Sequence, residues 1–241
     1  MLTPGELKRY ERQISIFGEE GQEKLKRAKV LIAGAGGLGS AISIYLTSAG
    51  VGKIRIVESD IVELSNLNRQ ILYREANVGL SKAKCASDEL QRINPYVQIE
   101  AITDTLNENN AEHLVQECDI IVDALDNFPT RYILNKIAVD RNIPFIHGAV
   151  EGFYGQATTI IPHKTACLKC IFPESPPIKK WPTVNSICGV VGCIESNQVL
   201  KCIMGIGNLL ENKLLMIDGF NAFIEELPVE RNPHCEDCGE G

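Results

Sequence analysis

The sequence predicts a doubly wound α/β domain whose mostly parallel sheet is extended by antiparallel strands towards the C-terminus. Three observations carry this expectation. Strand-length apolar runs alternate with helix-length amphipathic segments from residue 29 to about residue 150, the spacing of βαβ units. The first apolar run opens onto 34-GAGGLG-39, a glycine turn between a strand and a helix. After Val150 the rhythm changes, and one longer strand, a Pro-rich stretch, a helix and two closing strands remain.

The elements follow in order. Thr3-Pro4-Gly5-Glu6 reads as a capping box with Pro at the first helical position, which predicts a helix to about Phe17 and a second over 21-GQEKLKRA-28. The run 30-VLIAG-34 is a buried strand, and residues 38 to 49 are the helix entered from the glycine turn. A second strand, 53-KIRIVES-59, ends in acid, and 79-GLSKAKCASDELQRIN-94 has helical periodicity that stops at Pro95. Then come strand 97–102, helix 110–117, strand 119–125, helix 129–142 with Pro at its start, and strand 144–150. The segment 153-FYGQATTIIP-162 reads as a longer antiparallel strand, and 171-IFPESPPIKKWPTVN-185 as a loop. A helix from about Ile187 to Asn208 and strands 213–218 and 222–227 complete the pattern.

With 241 residues the chain is expected to form one domain, divided into N-terminal helices (1–28), a nucleotide-binding βαβ core (29–150) and a C-terminal part (151–241). A net charge of −7 without a dense Lys/Arg run argues against nucleic acid as the main ligand. No apolar run of bilayer length is evident and the N-terminus lacks a signal-like apolar core, so no membrane partner and a cytoplasmic address are expected. In that compartment nine cysteines point to metal or thiol chemistry rather than to disulfides.

The glycine turn has a definite physical role. Gly34 permits the tight turn, Gly36 lets a phosphate approach the backbone, and Gly39 allows close helix–strand packing. The helix that follows offers free N–H groups and the positive end of its dipole to an anion. Glu58, at the end of the second strand, stands where a carboxylate accepts from a ribose, which suits NAD and ATP equally. The segment from Asp60 to Lys84 discriminates between them. Arg69, Gln70 and Lys82 have no evident task in hydride transfer, whereas cations there can neutralise a triphosphate and stabilise charge at its α-phosphorus. Asp126 follows the fourth strand at the carboxyl end of the sheet and is a candidate Mg²⁺ ligand. Asp123 competes for that role, and helix capping ahead of Pro129 is the plain alternative for Asp126 and Asn127.

The cysteine pairs 167-CLKC-170 and 235-CEDC-238 together supply four thiolates, the donor set of a structural Zn²⁺. Such a site ties the C-terminal tail back onto the body. Cys85 and Cys118 read as small apolar packing residues. Cys188, between the Pro-rich loop and a helix, is a candidate reactive thiol, ahead of Cys193 and Cys202 within that helix.

The segments 9-RYERQ-13, 34-GAGGLG-39, 60-DIVELSNLNRQ-70, 78-VGLSKA-83, 123-DALDN-127, both C-x-x-C pairs and 231-RNPHCEDCG-239 resemble the MoeB/ThiF/HesA family of adenylyltransferases, relatives of the ubiquitin-activating enzymes. The resemblance covers nearly the whole chain and implies a Rossmann-like sheet carrying a ThiF-type adenylation site. It also implies adenylation of the C-terminal glycine of a small ubiquitin-like or sulfur-carrier protein ending in Gly-Gly, with release of pyrophosphate. Carried over by position, Gly34, Gly36, Gly37, Gly39, Glu58, Asp60, Asn66, Gln70 and Asn127 line the ATP site. Arg69 and Lys82 hold the phosphates, and Asp126 holds Mg²⁺. Arg12 reaches the neighbouring subunit's ATP site, which implies a homodimer. Many relatives carry a cysteine in the loop after the first C-x-x-C pair; here 171–187 has none, so adenylation alone is expected as the full activity. The rival readings are a family member that adenylates a peptide or small carboxylate, and an NAD-dependent oxidoreductase.

Overall fold

The computed structural model describes residues 1–175 and 182–239. Helices α1 (Pro4–Arg9) and α2 (Glu11–Arg27) lead into β1 (Lys29–Ala33), α3 (Gly37–Ala49), β2 (Lys53–Val57), α4 (Lys82–Ile93) and β3 (Gln98–Ile102). Then follow α5 (Ala111–Val115), β4 (Ile120–Asp123), α6 (Phe128–Arg141), β5 (Phe145–Glu151) and β6 (Tyr154–Ile160). The chain closes with α7 (Leu168–Ile171), α8 (Asn185–Met204), β7 (Lys213–Asp218) and β8 (Phe223–Pro228).

The eight strands form one sheet in the order β3-β2-β1-β4-β5-β6-β7-β8. Strands β1 to β5 pair in parallel, and β5/β6, β6/β7 and β7/β8 pair antiparallel, as the change of rhythm after Val150 predicts. Because β1 pairs with β2 on one side and β4 on the other, the strand order reverses there. Ligands of open α/β sheets bind at the carboxyl ends of the strands flanking such a reversal.

Both faces of the parallel part are covered. Val30 and Ile32 of β1 join a core with Leu38, Ile42 and Leu46 of α3, Leu90 of α4 and Val191 and Val199 of α8. The alternate residues Leu31 and Ala33 join Leu114, Leu134, Phe145, Cys167 and Leu168 on the opposite face. A strand buried on both sides therefore reads as an uninterrupted apolar run, and each such Leu or Ile contributes about 1.5–3 kcal/mol.

Some boundaries differ from the sequence reading. The Thr3–Glu6 capping box is present, but the first helix stops at Arg9, where the Tyr10 side chain turns into the core. The second runs from Glu11 to Arg27 through a kink at Gly18, whose φ of +73° a glycine tolerates. α4 starts only at Lys82, capped by the Ser81 hydroxyl, and α8 stops at Met204 against the left-handed Gly205. Of the predicted Pro-rich loop, residues 176–181 lie outside the described residues. Contrary to the expectation from the sequence, α8 is long and apolar enough to cross a membrane by length and composition. It is half buried and packs on α3, β5 and β6, which makes it a core helix of this fold.

Candidate active site

The glycine turn sits at the carboxyl end of β1, and each glycine there meets a distinct constraint. Gly34 has φ +99°, and a Cβ on it would lie 2.6 Å from the Ala124 carbonyl oxygen. A Cβ on Gly39 would lie 2.1 Å from the Gly34 carbonyl oxygen, so only glycine lets α3 approach β1. At Gly37 the vacant volume is taken by the Cys188 sulfur, 2.8 Å from a Cβ. Gly36 alone opens into free space, its nearest neighbour being the Gln70 amide nitrogen at 3.8 Å. α3 begins there without a side-chain cap, leaving its first-turn N–H groups for an anion. These features fit a phosphate cradle.

Two side chains reinforce or border this turn, one of them missed in the sequence. The Tyr73 hydroxyl, buried, donates to the Ala35 carbonyl at 2.8 Å. Glu58, which the sequence did single out, accepts from the Ala35 N–H at 3.0 Å and from the Asp60 N–H at 2.9 Å. A tyrosine in a polar loop carries no periodic signal of such a contact, so only the fold shows it.

The segment between β2 and α4 brings its polar residues to the same place. Arg69 is half-buried, its aliphatic stem 3.6 Å from a Cβ on Gly37, and its guanidinium donates to the Ser65 carbonyl and the Asn68 side chain. Gln70 is buried, and its Oε1 has no partner among the described residues. Its Nε2, a donor, is the atom that faces Gly36. Lys82 is 5% exposed and its Nζ donates to the Asp60 carboxylate at 3.0 Å, unlike the solvated lysine that its helical position alone would predict. The buried Asn66 side chain accepts from the Glu63 N–H and caps a short turn.

The turn after β4 completes the rim. Helix capping falls on Asn127, whose side chain accepts from the Thr130 N–H at 3.0 Å, and Asp126 beside it is exposed. Asp123 is fully buried, 3.0 Å from the Arg131 guanidinium and 2.6 Å from His147 Nδ1. Burial opposes its charge, but Arg131 and the hydrogen bond from His147 outweigh it and hold the carboxyl below the usual range. Burial pushes the imidazole down more than Asp123 lifts it, so His147 is neutral and donates from Nδ1. Of the two acids, Asp126 is therefore the one free to meet a metal.

Behind this pair lies Glu195 of α8, fully buried, its carboxyl in the space that a Cβ on Gly148 would fill. Neither oxygen has a partner among the described residues, and burial, then the Asp123 charge, pushes its pKa well above 4.5. A lone acid in an apolar helix was its only sequence signal. The native carboxyl is protonated where the unfolded chain's is ionised. Its contribution to stability is therefore complete below about pH 4.5 and is lost as pH rises towards the native pKa. Glu195→Gln is expected to flatten this dependence. Thermal denaturation at pH 5 and pH 8 should show the wild type losing several degrees more than the variant; equal losses would contradict a buried neutral acid.

The cysteine pairs meet as their spacing predicts. Cys167, Cys170, Cys235 and Cys238 place their sulfurs within 4.8 Å of one another, with individual separations of 3.9, 3.6 and 3.4 Å. Tetrahedral Zn²⁺ with Zn–S bonds of about 2.3 Å requires sulfurs about 3.8 Å apart, so the four residues fit a closed structural site. Cys188 is 2% exposed, its thiol is pushed up by burial, and it packs under Gly37. Arg12 is exposed on α2, whose next residue, Gln13, bonds the Ala49 carbonyl at the far end of α3 from the glycine turn. A 13-residue helix separates it from its own cradle by about 18 Å.

Comparison with known proteins agrees with this geometry. Over 248 residues the chain is 38% identical to the SAMP-activating enzyme E1 of Haloferax volcanii, spanning 100% of this chain and 92% of that protein. It is 42% identical to the sulfur carrier protein adenylyltransferase of Thermus thermophilus, spanning 99% and 93%. Among solved structures, MccB of E. coli with ATP superimposes with a TM-score of 0.87 at 28% identity, over 96% of this chain and 73% of that one. The ThiF family model matches residues 10–237, nearly the whole chain, and with the sheet order, glycine cradle and four-cysteine centre in place, the protein belongs to the ThiF family.

Proposed function

We propose that the protein is an ATP-dependent adenylyltransferase that activates the C-terminal glycine carboxylate of a small ubiquitin-like or sulfur-carrier protein. The observation that supports this reading is the uncapped glycine turn with Arg69 packed against Gly37, in a chain similar over nearly its whole length to a SAMP-activating enzyme E1 and a sulfur carrier protein adenylyltransferase. The carrier carboxylate attacks the α-phosphorus, an acyl–phosphate bond forms, the α–β bridge breaks, and pyrophosphate leaves with the electron pair.

In this reading the chain's residues position and neutralise. The N–H groups at the start of α3 bind phosphate, Glu58 accepts from the ribose, and Gln70 Nε2, the atom nearest Gly36, donates to phosphate oxygen. Arg69 and Lys82 stabilise charge gathering on the pentavalent phosphorus, with Lys82 exchanging Asp60 for phosphate oxygen. Asp126 would hold Mg²⁺, which supplies Lewis-acid polarisation of the phosphates. The four cysteines would hold Zn²⁺ in a structural role. Arg12, too far from its own cradle, serves the site of a second copy in a homodimer, where it adds a further cation. Cys188 acts as packing beneath the turn, so no thioester step is assigned to it. A cytoplasmic setting keeps the cysteine ligands reduced.

The test is isotope exchange between pyrophosphate and ATP. Exchange is expected only with a carrier ending in Gly-Gly, and to vanish when its last glycine is removed. Exchange driven instead by short peptides, with no response to carriers, would replace this reading by the peptide-activating one, for which the likeness to MccB is the supporting observation.

A further inference from the structure

We propose that α6 couples the four-cysteine centre to the Asp126 turn, with Asn135 and Arg131 as positioning residues at the two ends of the link. The inference rests on the reading of Asp126 as a contact of metal-bound ATP.

Asn135 is fully buried, and its amide grips both arms of the centre. Oδ1 accepts from the N–H of Leu168, the residue after Cys167, at 2.8 Å. Nδ2 donates to the carboxylate of Asp237, the residue before Cys238, at 2.6 Å. Four residues earlier, hence on the same face and about 6 Å along the axis, stands Arg131. Its Nη2 donates to the Leu125 carbonyl at 2.5 Å and the Gly148 carbonyl at 3.2 Å, while Nε pairs with Asp123. Leu125 immediately precedes Asp126, so this guanidinium fixes the turn that presents the exposed carboxylate.

Aromatic contacts add a second connection beside the two polar anchors. The Tyr132 hydroxyl donates to the Phe172 carbonyl at 2.8 Å, and the Phe128 ring packs on the Arg131 guanidinium at 5.0 Å and on Phe172 at 5.4 Å. Phe172, two residues beyond Cys170, also meets the His147 ring that bonds Asp123. Movement of the cysteine arms is therefore carried to the base of the Asp126 turn through a packed, hydrogen-bonded helix face. Asn135 and Arg131 are themselves buried and each holds two groups at once, so the link transmits displacement rather than absorbing it. Coupling of this kind is reciprocal: closed cysteine arms favour nucleotide, and nucleotide favours closed arms.

The experiment uses the full chain loaded with zinc. Zinc occupancy is followed in titration with a chelator selective for zinc over magnesium, with and without saturating Mg·ATP, and Mg·ATP affinity is measured by calorimetry. In the wild type, Mg·ATP is expected to raise the chelator concentration at half-occupancy about fivefold or more, the range of ordinary allosteric coupling. In Asn135→Leu the shift should disappear, with zinc still bound by four cysteines and the Kd for Mg·ATP raised by the same factor. Arg131→Lys keeps a charge opposite Asp123 but loses the forked grip on Leu125 and Gly148. It should also abolish the shift, without changing zinc affinity in the absence of nucleotide, and it serves if Asn135→Leu does not fold. A wild type that binds Mg·ATP without any shift, or folded variants that keep it, overturns the link. A wild type that binds no ATP at all overturns the nucleotide-site reading itself.

Discussion

Asp126→Ala is expected to lower carrier-dependent ATP–pyrophosphate exchange by at least about a hundredfold, and Arg69→Ala to do the same, because in the proposed mechanism each removes a charge that serves the reacting phosphates. Neither change should unfold the protein. Asp126 is exposed, its side chain meets Asn127 weakly at 3.4 Å, and the cap of α6 belongs to Asn127. Among the described residues Arg69 bonds only its own loop, through Ser65 and Asn68. The two variants should part company in their metal response. Raising Mg²⁺ should restore none of the Arg69→Ala loss, while part of the Asp126→Ala loss should return as mass action replaces the missing ligand. Exchange at wild-type rates in folded Asp126→Ala would remove that residue from the site and return Asp123, despite its burial, to consideration.

Cys170→Ser carries the second large effect. A serine cannot supply the fourth thiolate, so the variant should lose zinc on purification and melt lower by on the order of 10 °C, as a loss of about 3–5 kcal/mol produces in a chain of this size. The loss should be local before it is global. Cys170 accepts from the Asn232 N–H at 3.3 Å, and Arg231 bonds the Cys238 carbonyl, so freeing the centre releases the tail that it ties to α6. Limited proteolysis should then cut first after Arg231. Cys193→Ser, at an exposed cysteine outside the centre, is the control and should melt as the wild type does. Equal melting of Cys170→Ser and the control would show that the four thiols do not hold a stabilising metal.

Much of the fold was legible because its signals are local and periodic. Buried parallel strands are unbroken apolar runs, the first helix announces itself by the Thr3 capping box, and the turn glycines at Gly34 and Gly39 leave no room for a Cβ. Helix ends were read less well where a tertiary contact decided them. Tyr10 leaves the helix because its ring has a place in the core beside Asn94 and Gly50, which no neighbouring residue announces. In α8 an apolar composition of membrane length turned out to be burial against α3 and the sheet. Composition reports that a helix is surrounded by apolar matter and does not say whether that matter is protein or lipid.

The candidate site divides in the same way. By itself the sequence determined the glycine cradle, the sign and type of the side chains after β2, the acidic turn after β4 and the two thiol pairs, because each is a short motif whose chemistry is written in residue type and spacing. Only the tertiary structure decided which of Asp123 and Asp126 is free, that Lys82 is buried against Asp60, that Cys188 lies beneath Gly37, and that Tyr73, His147, Arg131, Asn135 and Glu195 surround the site. The physical reason is that burial and partnership are set by what packs on the far side of a residue. Chains separated by a hundred positions, as Asn135 is from Asp237, meet only once the sheet has formed.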